Sequence, residues 1–561
     1  MSEPRHPWLD HYPDGVSWDT PIPTAPLTTL MDSAAARFGD RPAWEFLGRR
    51  TTYGEAARVI ERIAAGLQRL GLRKGDRLGL LLPNCPAYPL LFFAGLRAGL
   101  TIVNFNPLYT ARELEHQARD ADCAAIATLD LAALYPKAAT LLASGAVRRL
   151  IVCPLAAMLP AGRRALFTLF KRRDRSPIPT DANHTALATL AAERAPLTPV
   201  PIDPATDIAV LQYTGGTSGL PKAAMLSHAN LYANAVQGVL WFKDTKPGAE
   251  RTLAALPFFH VFAMTTVLLF SVHAGAEIIM MPRWDLQQAI RLIAKRKPTY
   301  LSGVPTLFNA IAAYPGKADL SSIRFCISGG APLPPEVKQR FEARTGCVVV
   351  EGYGLTETSP CVICNPPGGR NKPGIGLPMP ATVAELRDPS DPTRTVAQGE
   401  RGEVCLKGPQ LMLGYWRRPE ETAASMTPDG FFRTGDIGVM DEEGYFQIVD
   451  RIKDVILAGG YNVYPRLVED AIYEHDAVAE CTVIGIPDPY RGETVKAFIA
   501  LKPGASLDAD TLRTFLTDRL SPIEMPKQIE FRDSLPRTLI GKLSKKELVA
   551  EERAKQAPAP T

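Results

Sequence analysis

The chain has 561 residues, 46% of them hydrophobic and 22% charged, with a formal net charge of +4. This is an ordinary globular composition, long enough for several domains and an ample core. Four surplus positive charges over such a length do not argue for nucleic acid, and no nucleic-acid partner is expected.

The first fifteen residues, MSEPRHPWLDHYPDG, are polar and lack the apolar stretch of a secretory signal. From Arg77 to Asp130 apolar runs alternate with helical segments: Leu78–Leu82, then Tyr88–Ala98, Thr101–Asn104, Ala111–Arg119 and Ala124–Leu129. That rhythm predicts the βαβ units of a doubly wound sheet. Residues 153–177 interrupt it. Leu166, Phe167, Leu169 and Phe170 stand there among Arg163, Arg164, Lys171, Arg172, Arg173 and Arg175. A basic amphipathic segment of this kind suits either an anionic membrane surface or a solvated helix packed on the body.

Residues 213–222 read YTGGTSGLPK. Asp207–Gln212 before them predicts a short buried strand, and Ser227–Val236 after them a helix. A glycine-rich turn between strand and helix lets backbone N–H groups and hydroxyls cradle phosphate oxygens, with Lys222 as a point charge. The spacing does not fit GxxxxGK[ST], so the mononucleotide kinase fold is excluded. The apolar run Val261–Val272 is too short to span a bilayer and predicts a buried helix. The βαβ rhythm returns after Thr252 and again from Thr299. Cys361 and Cys364 form a CxxC without the second pair a zinc site needs, and nine scattered cysteines suit a reducing compartment.

Further along, Ser328–Ala331 (SGGA) ends an apolar strand and can line a flat ligand. Gly352–Glu357 (GYGLTE) groups Tyr353, able to stack on a base, with Thr356, able to bond a phosphate oxygen. Glu357 offers the hard oxygen that Mg²⁺ prefers. Thr434–Asp436 (TGD) sets a carboxylate on a turn, where it can accept bonds from a ribose diol. From Glu400 the strands become short and glycine-punctuated. After Asp450–Asp454 (DRIKD) a small α+β unit follows: helix Arg466–His475 with Pro465 at its start, strands Ala479–Ile486 and Val495–Leu501, helix Ala509–Leu520, strand Gln528–Phe531. Pro536–Lys542 (PRTLIGK) then precedes a capping box at Ser544–Glu547.

Taken singly, each motif is compatible with an ordinary turn. In this order, and over nearly the whole chain, they resemble the adenylate-forming (AMP-binding) acyl-CoA synthetase family. LQYTGGTSGLPKAAMLSHANL, LPFFHVFAMT, EGYGLTETSP and LMLGYWRRPEET look like its bacterial long-chain fatty acid–CoA ligases. The resemblance implies an α/β fold: a large N-terminal domain (27–450) of doubly wound αβ subdomains plus a distorted β-barrel subdomain, and a small mobile α+β C-terminal domain (451–548) with its hinge at 450–454. It implies ATP, Mg²⁺ and CoA, a long-chain fatty acid substrate, and a homodimer. It also implies a cytoplasmic location, with peripheral contact on the inner face of the membrane through 153–177.

The roles implied by the resemblance are as follows. Thr214, Gly215, Gly216, Thr217, Ser218, Gly219 and Lys222 hold the β- and γ-phosphates. Gly329, Gly330, Ala331, Tyr353 and Gly354 frame adenine. Thr356 meets the α-phosphate, Glu357 the Mg²⁺, and Asp436 and Arg451 the ribose. Lys542 reaches the α-phosphate and the substrate carboxylate, His260 stands between nucleotide and acyl pocket, and Lys453 is the hinge. Gly459, Gly460 and Tyr461 meet the pantetheine arm of CoA. Two positions depart from the family pattern: GGTS at 215–218 where SGTTG is common, and Ala223 where a glycine often follows the lysine. The acyl tunnel is expected near Val261–Leu269, Leu301–Val304 and Gly329, where each methylene contributes only about 0.8 kcal/mol to chain-length choice. Three rivals remain at this level: an aryl or medium-chain acid–CoA ligase, an acyl-AMP ligase loading a carrier protein, and an inactive acyl or nucleotide sensor.

Overall fold

The computed structural model describes residues 6–214, 221–368, 370–458, 461–488, 491–537 and 543–556. These form four sheets. The first has seven strands in the order His184–Ala186, Arg149–Cys153, Cys123–Leu129, Arg77–Leu81, Thr101–Asn104, Ile208–Thr214 and Lys222–Ser227. All neighbours are parallel except the last pair. Cys123–Leu129 is buried at every position, as expected of a parallel strand covered on both faces by crossover helices. Those helices, Ala87–Arg97 and Ala111–Asp120, lie within a residue or so of their predicted positions.

The second sheet has nine strands. Six are parallel: Pro42–Phe46, Glu277–Met280, Arg251–Ala254, Tyr300–Gly303, Phe325–Gly329 and Val349–Gly354. Antiparallel strands close both ends, Arg49–Thr52 on one side and Cys361–Cys364 with Leu377–Pro378 on the other. One apolar core runs between these two sheets. The part expected as a barrel is a four-stranded antiparallel sheet: Val383–Arg387, Gly402–Lys407, Phe432–Met440 and Phe446–Arg451.

After the turn Ile452–Asp454, a separate five-stranded sheet builds the small α+β unit. Its long strands Val478–Asp488 and Gly492–Leu501 carry their own core. Helix Ala509–Leu516 is one turn shorter than the expected Ala509–Leu520.

One local expectation is corrected. The glycine-rich segment does not join a strand to a helix. Lys222–Ser227 is itself a strand, antiparallel to Ile208–Thr214, with Lys222 opposite Thr214. The helix begins only at His228. Ser227 caps it, its Oγ accepting from Asn230 N at 3.1 Å, while Asn230 Oδ1 accepts from Ser227 N at 2.9 Å. The run Ala223–Leu226 pairs along the sheet edge before this capping box can start a helix.

The apolar run after His260 is helical to Ala274. Its middle, Met264–Leu269, is a π-helical turn with all six residues buried. Among the described residues, no helix is long and apolar enough to cross a membrane. The nine cysteines are all buried and free, Cys361 and Cys364 on one strand.

His228 shows how tightly the core dictates a protonation state. Its Nδ1 accepts a hydrogen bond from Leu27 N at 3.1 Å. Burial lowers its pKa from 6.5 to about 4. A folded pKa below the unfolded one means stability is lost as pH falls through that window. In urea unfolding, the wild type should therefore lose on the order of 3 kcal/mol more than His228→Gln between pH 6.5 and pH 4. The comparison cancels opposing groups such as Glu351, whose carboxyl burial pushes up to about 6. Parallel pH profiles for the two proteins would contradict this assignment.

Candidate active site

The site lies at the carboxyl ends of the parallel strands of the nine-stranded sheet, where ligands bind in open α/β sheets. Gly329 and Gly352 are register partners on neighbouring strands. A Cβ on Gly329 would stand 3.0 Å from the Phe262 ring and 3.1 Å from Gly352 O. A Cβ on Gly354 would stand 1.7 Å from Pro360 O, so no side chain fits there. Gly330 has a φ of +78°, a left-handed conformation that glycine adopts without strain. Ala331 follows it at the strand end. Ser328 Oγ is buried and, among the described residues, makes no hydrogen bond.

Tyr353 Oη donates to Asp436 Oδ2 at 2.5 Å, and Arg451 Nε lies 3.0 Å from Asp436 Oδ1. Asp436 and Arg451 are register partners across the last hairpin of the four-stranded sheet. Burial, reinforced by the Asp436 carboxylate, pushes the Tyr353 phenol well above its ordinary pKa, so Tyr353 stays a donor. The same carboxylate holds Arg451 firmly protonated. Asp436 thus sits between a phenol and a guanidinium, nearly closed to solvent.

Glu357, in the short turn Thr356–Thr358, accepts from Tyr415 Oη at 2.8 Å through Oε1, and its carbonyl accepts from Met412 N at 2.8 Å. Lys222 forms an ion pair with Glu421 and lies 5.3 Å from the Tyr415 ring centroid. Tyr415 therefore stands between Lys222 and Glu357. The Glu357 charge is also felt at Arg451 and Lys453, so both groups of residues belong to one electrostatic site. Lys453 lies in the turn after Arg451, where burial and then the Arg451 charge lower its pKa.

A buried polar network fixes the turn carrying His260. Asn84 Nδ2 donates to Leu256 O at 2.8 Å, and Asn84 Oδ1 accepts from Phe258 N at 2.8 Å. Tyr88 Oη bonds Asn104 Oδ1 at 2.7 Å and Phe258 O at 2.9 Å. Asn104 Nδ2 donates to Gln212 Oε1 at 2.8 Å, and Gln212 Nε2 to Phe259 O at 3.0 Å. Gln212 is two residues before Thr214, so the base of the glycine-rich hairpin and the His260 turn are locked together. His260 caps the next helix, its Nδ1 accepting from Phe262 N at 3.3 Å.

The fold thus links Tyr353, Asp436 and Arg451 in one group and Lys222, Tyr415 and Glu357 in another, with Gly329 against Phe262 and Lys453 in the turn after Arg451. Thr214 ends its strand opposite Lys222. Tyr461 does not join them: it is 66% exposed on the small unit, in the hairpin Ile456–Ala458/Tyr461–Val463. Gly215, Gly216, Thr217, Ser218, Gly219, Gly459, Gly460 and Lys542 lie outside the described residues. Sequence reading missed Tyr415, Glu421 and the Asn84–Tyr88–Asn104–Gln212 network. Tyr415 and Glu421 both lie within the segment LMLGYWRRPEET, where no local pattern points to their partners.

Comparison with known proteins gives the family of the whole chain. The family model of the AMP-binding enzyme matches residues 31–416, and that of the AMP-binding enzyme C-terminal domain matches 467–542. The long-chain-fatty-acid–CoA ligase of Bacillus subtilis (strain 168) is 45% identical over 554 residues, covering 98% of each chain. The feruloyl-CoA synthase of an Amycolatopsis species is 37% identical, covering 89% of this chain and 94% of that one. Among solved structures, ATP-bound MatB from Rhodopseudomonas palustris superposes with a TM-score of 0.83 at 29% identity, over 94% of this chain and 100% of that one. With family models matched on both units and a relative 45% identical along the whole chain, the chain belongs to the AMP-binding enzyme family.

Proposed function

We propose that the protein is a long-chain fatty acid–CoA ligase. It activates a fatty acid with ATP to acyl-AMP and pyrophosphate, then transfers the acyl group to CoA, releasing AMP. The observation that carries this reading is the Tyr353–Asp436–Arg451 chain together with the Lys222–Tyr415–Glu357 group, the first suited to a nucleoside and the second to phosphates. Whole-length similarity to ligases of long-chain fatty acids supports the acid and thiol partners.

The chain's residues divide the work as follows. Asp436 uses two of the roughly four lone-pair sites of a carboxylate on Tyr353 and Arg451, leaving capacity for the ribose hydroxyls. A flat base lies along the strand-end backbone of Gly329, Gly330, Ala331 and Gly354, which carries nothing larger than a methyl group, and Tyr353 supplies a ring face. Lys222 exchanges Glu421 for phosphate oxygens. Both partners are more than a third exposed, so that surface pair costs little to break. Thr214–Gly219 supply N–H and hydroxyl donors to the same phosphates, and Thr356 bonds the α-phosphate. With Oε1 engaged by Tyr415, Glu357 offers Oε2 as a hard ligand that fits Mg²⁺. When bound, the ion supplies charge neutralisation between the phosphates and the incoming carboxylate. Lys542 holds that carboxylate against the α-phosphate, a positioning and electrostatic task.

Lys542 would obstruct the thiol of CoA in the second step. Lys453 and its neighbours at 450–454 accordingly act as the hinge on which the small domain turns. Gly459, Gly460 and Tyr461 then meet the pantetheine arm. Tyr461 and Leu457, both well exposed, are free to pack there. The acyl chain runs past His260 and Phe262 toward the apolar segments 261–269 and 301–304.

Peripheral membrane contact is part of the proposal. Helix Ala161–Phe170 buries no residue fully. Phe167 packs inward on the core. Leu166, Leu169 and Phe170, spaced i, i+3, i+4, form an outward stripe 57%, 68% and 77% exposed. Arg163 and Arg164 tie the helix to the body through Leu47 O and Ala156 O, and Lys171, Arg172 and Arg173 flank the stripe. An apolar stripe edged by cations suits an anionic bilayer surface.

In a product assay with ATP, CoA and an acid panel, palmitate should yield palmitoyl-CoA and AMP faster than octanoate or ferulate. Preference for ferulate would favour the aryl reading, which the feruloyl-CoA synthase relative keeps open. Replacing Leu166, Leu169 and Phe170 together by Ser should weaken co-sedimentation with anionic vesicles by about tenfold or more while sparing turnover on soluble acyl chains. Unchanged sedimentation would contradict the membrane proposal.

A further inference from the structure

We propose that Lys545 is a positioning residue that ties the segment carrying Lys542 to the hinge, so that the orientation of the small domain and the presentation of Lys542 change together. This inference rests on the ligase reading above for its kinetic consequence, but not for its structural one.

Lys545 begins the last helix, Lys545–Gln556. Its Nζ lies 3.0 Å from Glu469 Oε1, and the carboxylates of Asp450 and Asp454 attract it as well. One carboxylate thus pairs with the ammonium directly, and two more act on it through their charge. They come from different places. Glu469 lies in helix Pro465–Tyr473 of the small unit, and its Oε1 also accepts from Val483 N at 2.9 Å. Asp450 lies in the last strand of the four-stranded sheet, Phe446–Arg451. Asp454 ends the turn between the two units.

Asp450 is itself a junction. Its Oδ1 accepts from Arg451 N at 2.7 Å, and its Oδ2 accepts from Arg466 N at 2.7 Å, in the first turn of helix Pro465–Tyr473. It is nearly buried. Arg451, next in the chain, holds Asp436. A path therefore runs from Asp436 through Arg451 to Asp450, on to Arg466 N, and along helix Pro465–Tyr473 to Glu469 and its partner Lys545.

The other end of the path is covalent. The residues on either side of 538–542 are drawn together: Ser544 N donates to Pro536 O at 2.8 Å, and Arg537 bridges Leu543. Lys545 is the next residue after that closure, three positions beyond Lys542. Anchoring Lys545 therefore anchors the chain immediately after Leu543, one residue beyond Lys542. When the small domain turns, Glu469 travels with Lys545 while Asp450 stays with the large sheet. The attraction across the boundary then changes, although the pair within the small unit does not. Removing the charge leaves Glu469, Asp450 and Asp454 repelling one another at the hinge.

The test uses Lys545→Met, with Lys545→Arg as the conservative variant and Lys542→Ala as reference. Acyl-AMP formation is followed by pyrophosphate release from palmitate and ATP; thioester formation is followed from supplied palmitoyl-AMP and CoA. Lys545→Met should slow the first by about tenfold, the size expected of a coupling residue that touches neither ligand, and leave the second within about threefold. Lys545→Arg should restore the first. Equal slowing of both half-reactions, or neither, would overturn the inference.

A second readout needs no substrate. With spin labels at Lys317→Cys and Asp518→Cys, exposed positions in a chain whose own cysteines are buried, Lys545→Met should broaden or shift the distance distribution between the two units. An unchanged distribution would overturn the inference even if the acid substrate proves to be different. A wild type inactive on every acid, combined with a shifted distribution, would count against the ligase reading and leave the hinge anchor standing.

Discussion

The site is organised around one carboxylate. Asp436 receives Tyr353 from the nine-stranded sheet and Arg451 from the last hairpin of the four-stranded sheet. A buried carboxylate is costly unless paired and hydrogen-bonded, and here both partners are present. That requirement holds the two sheets at a fixed separation. Arg451 is also the last residue before the turn to the small unit. The placing of Tyr353 against the last hairpin and the starting point of the small unit are therefore set by the same interaction.

The polar network of Asn84, Tyr88, Asn104 and Gln212 plays the corresponding part between the two parallel sheets. Each member is buried and bonded to another member or to the backbone of residues 256–259. Leaving one such group unpaired costs about 1–3 kcal/mol, so the network has few alternative arrangements. It makes the position of His260 depend on the strand that leads into the glycine-rich hairpin. The π-helical turn that follows His260, and Phe262 against Gly329, transmit that position to the apolar space beyond. The two sheets and the His260 turn are thereby parts of one packed assembly.

Much of this was legible in the chain because its signals are local. Buried parallel strands read as continuous apolar runs, and the crossover helices between them carry 3.6-residue periodicity and capping boxes such as Thr110 with Glu113. Gly354 and Gly330 are also local signals, since each position demands the absence of a side chain or a left-handed backbone. What was not legible depends on long-range pairing. Whether Lys222 starts a strand or approaches a helix is decided by Thr214 across the hairpin, not by its neighbours. Tyr415 and Glu357 are 58 positions apart, and Gln212 and Phe259 are 47 apart. No periodicity in the chain announces such contacts, so Tyr415, Glu421 and the polar network emerge only from the fold.

The central claim is that this cleft activates a fatty carboxylate by adenylation before CoA takes part. ATP–pyrophosphate exchange in the absence of CoA tests it most directly. Palmitate should stimulate incorporation of labelled pyrophosphate into ATP by the wild type, and Lys542→Ala should abolish that stimulation. Exchange that no fatty acid stimulates, or that persists undiminished without Lys542, would contradict the account.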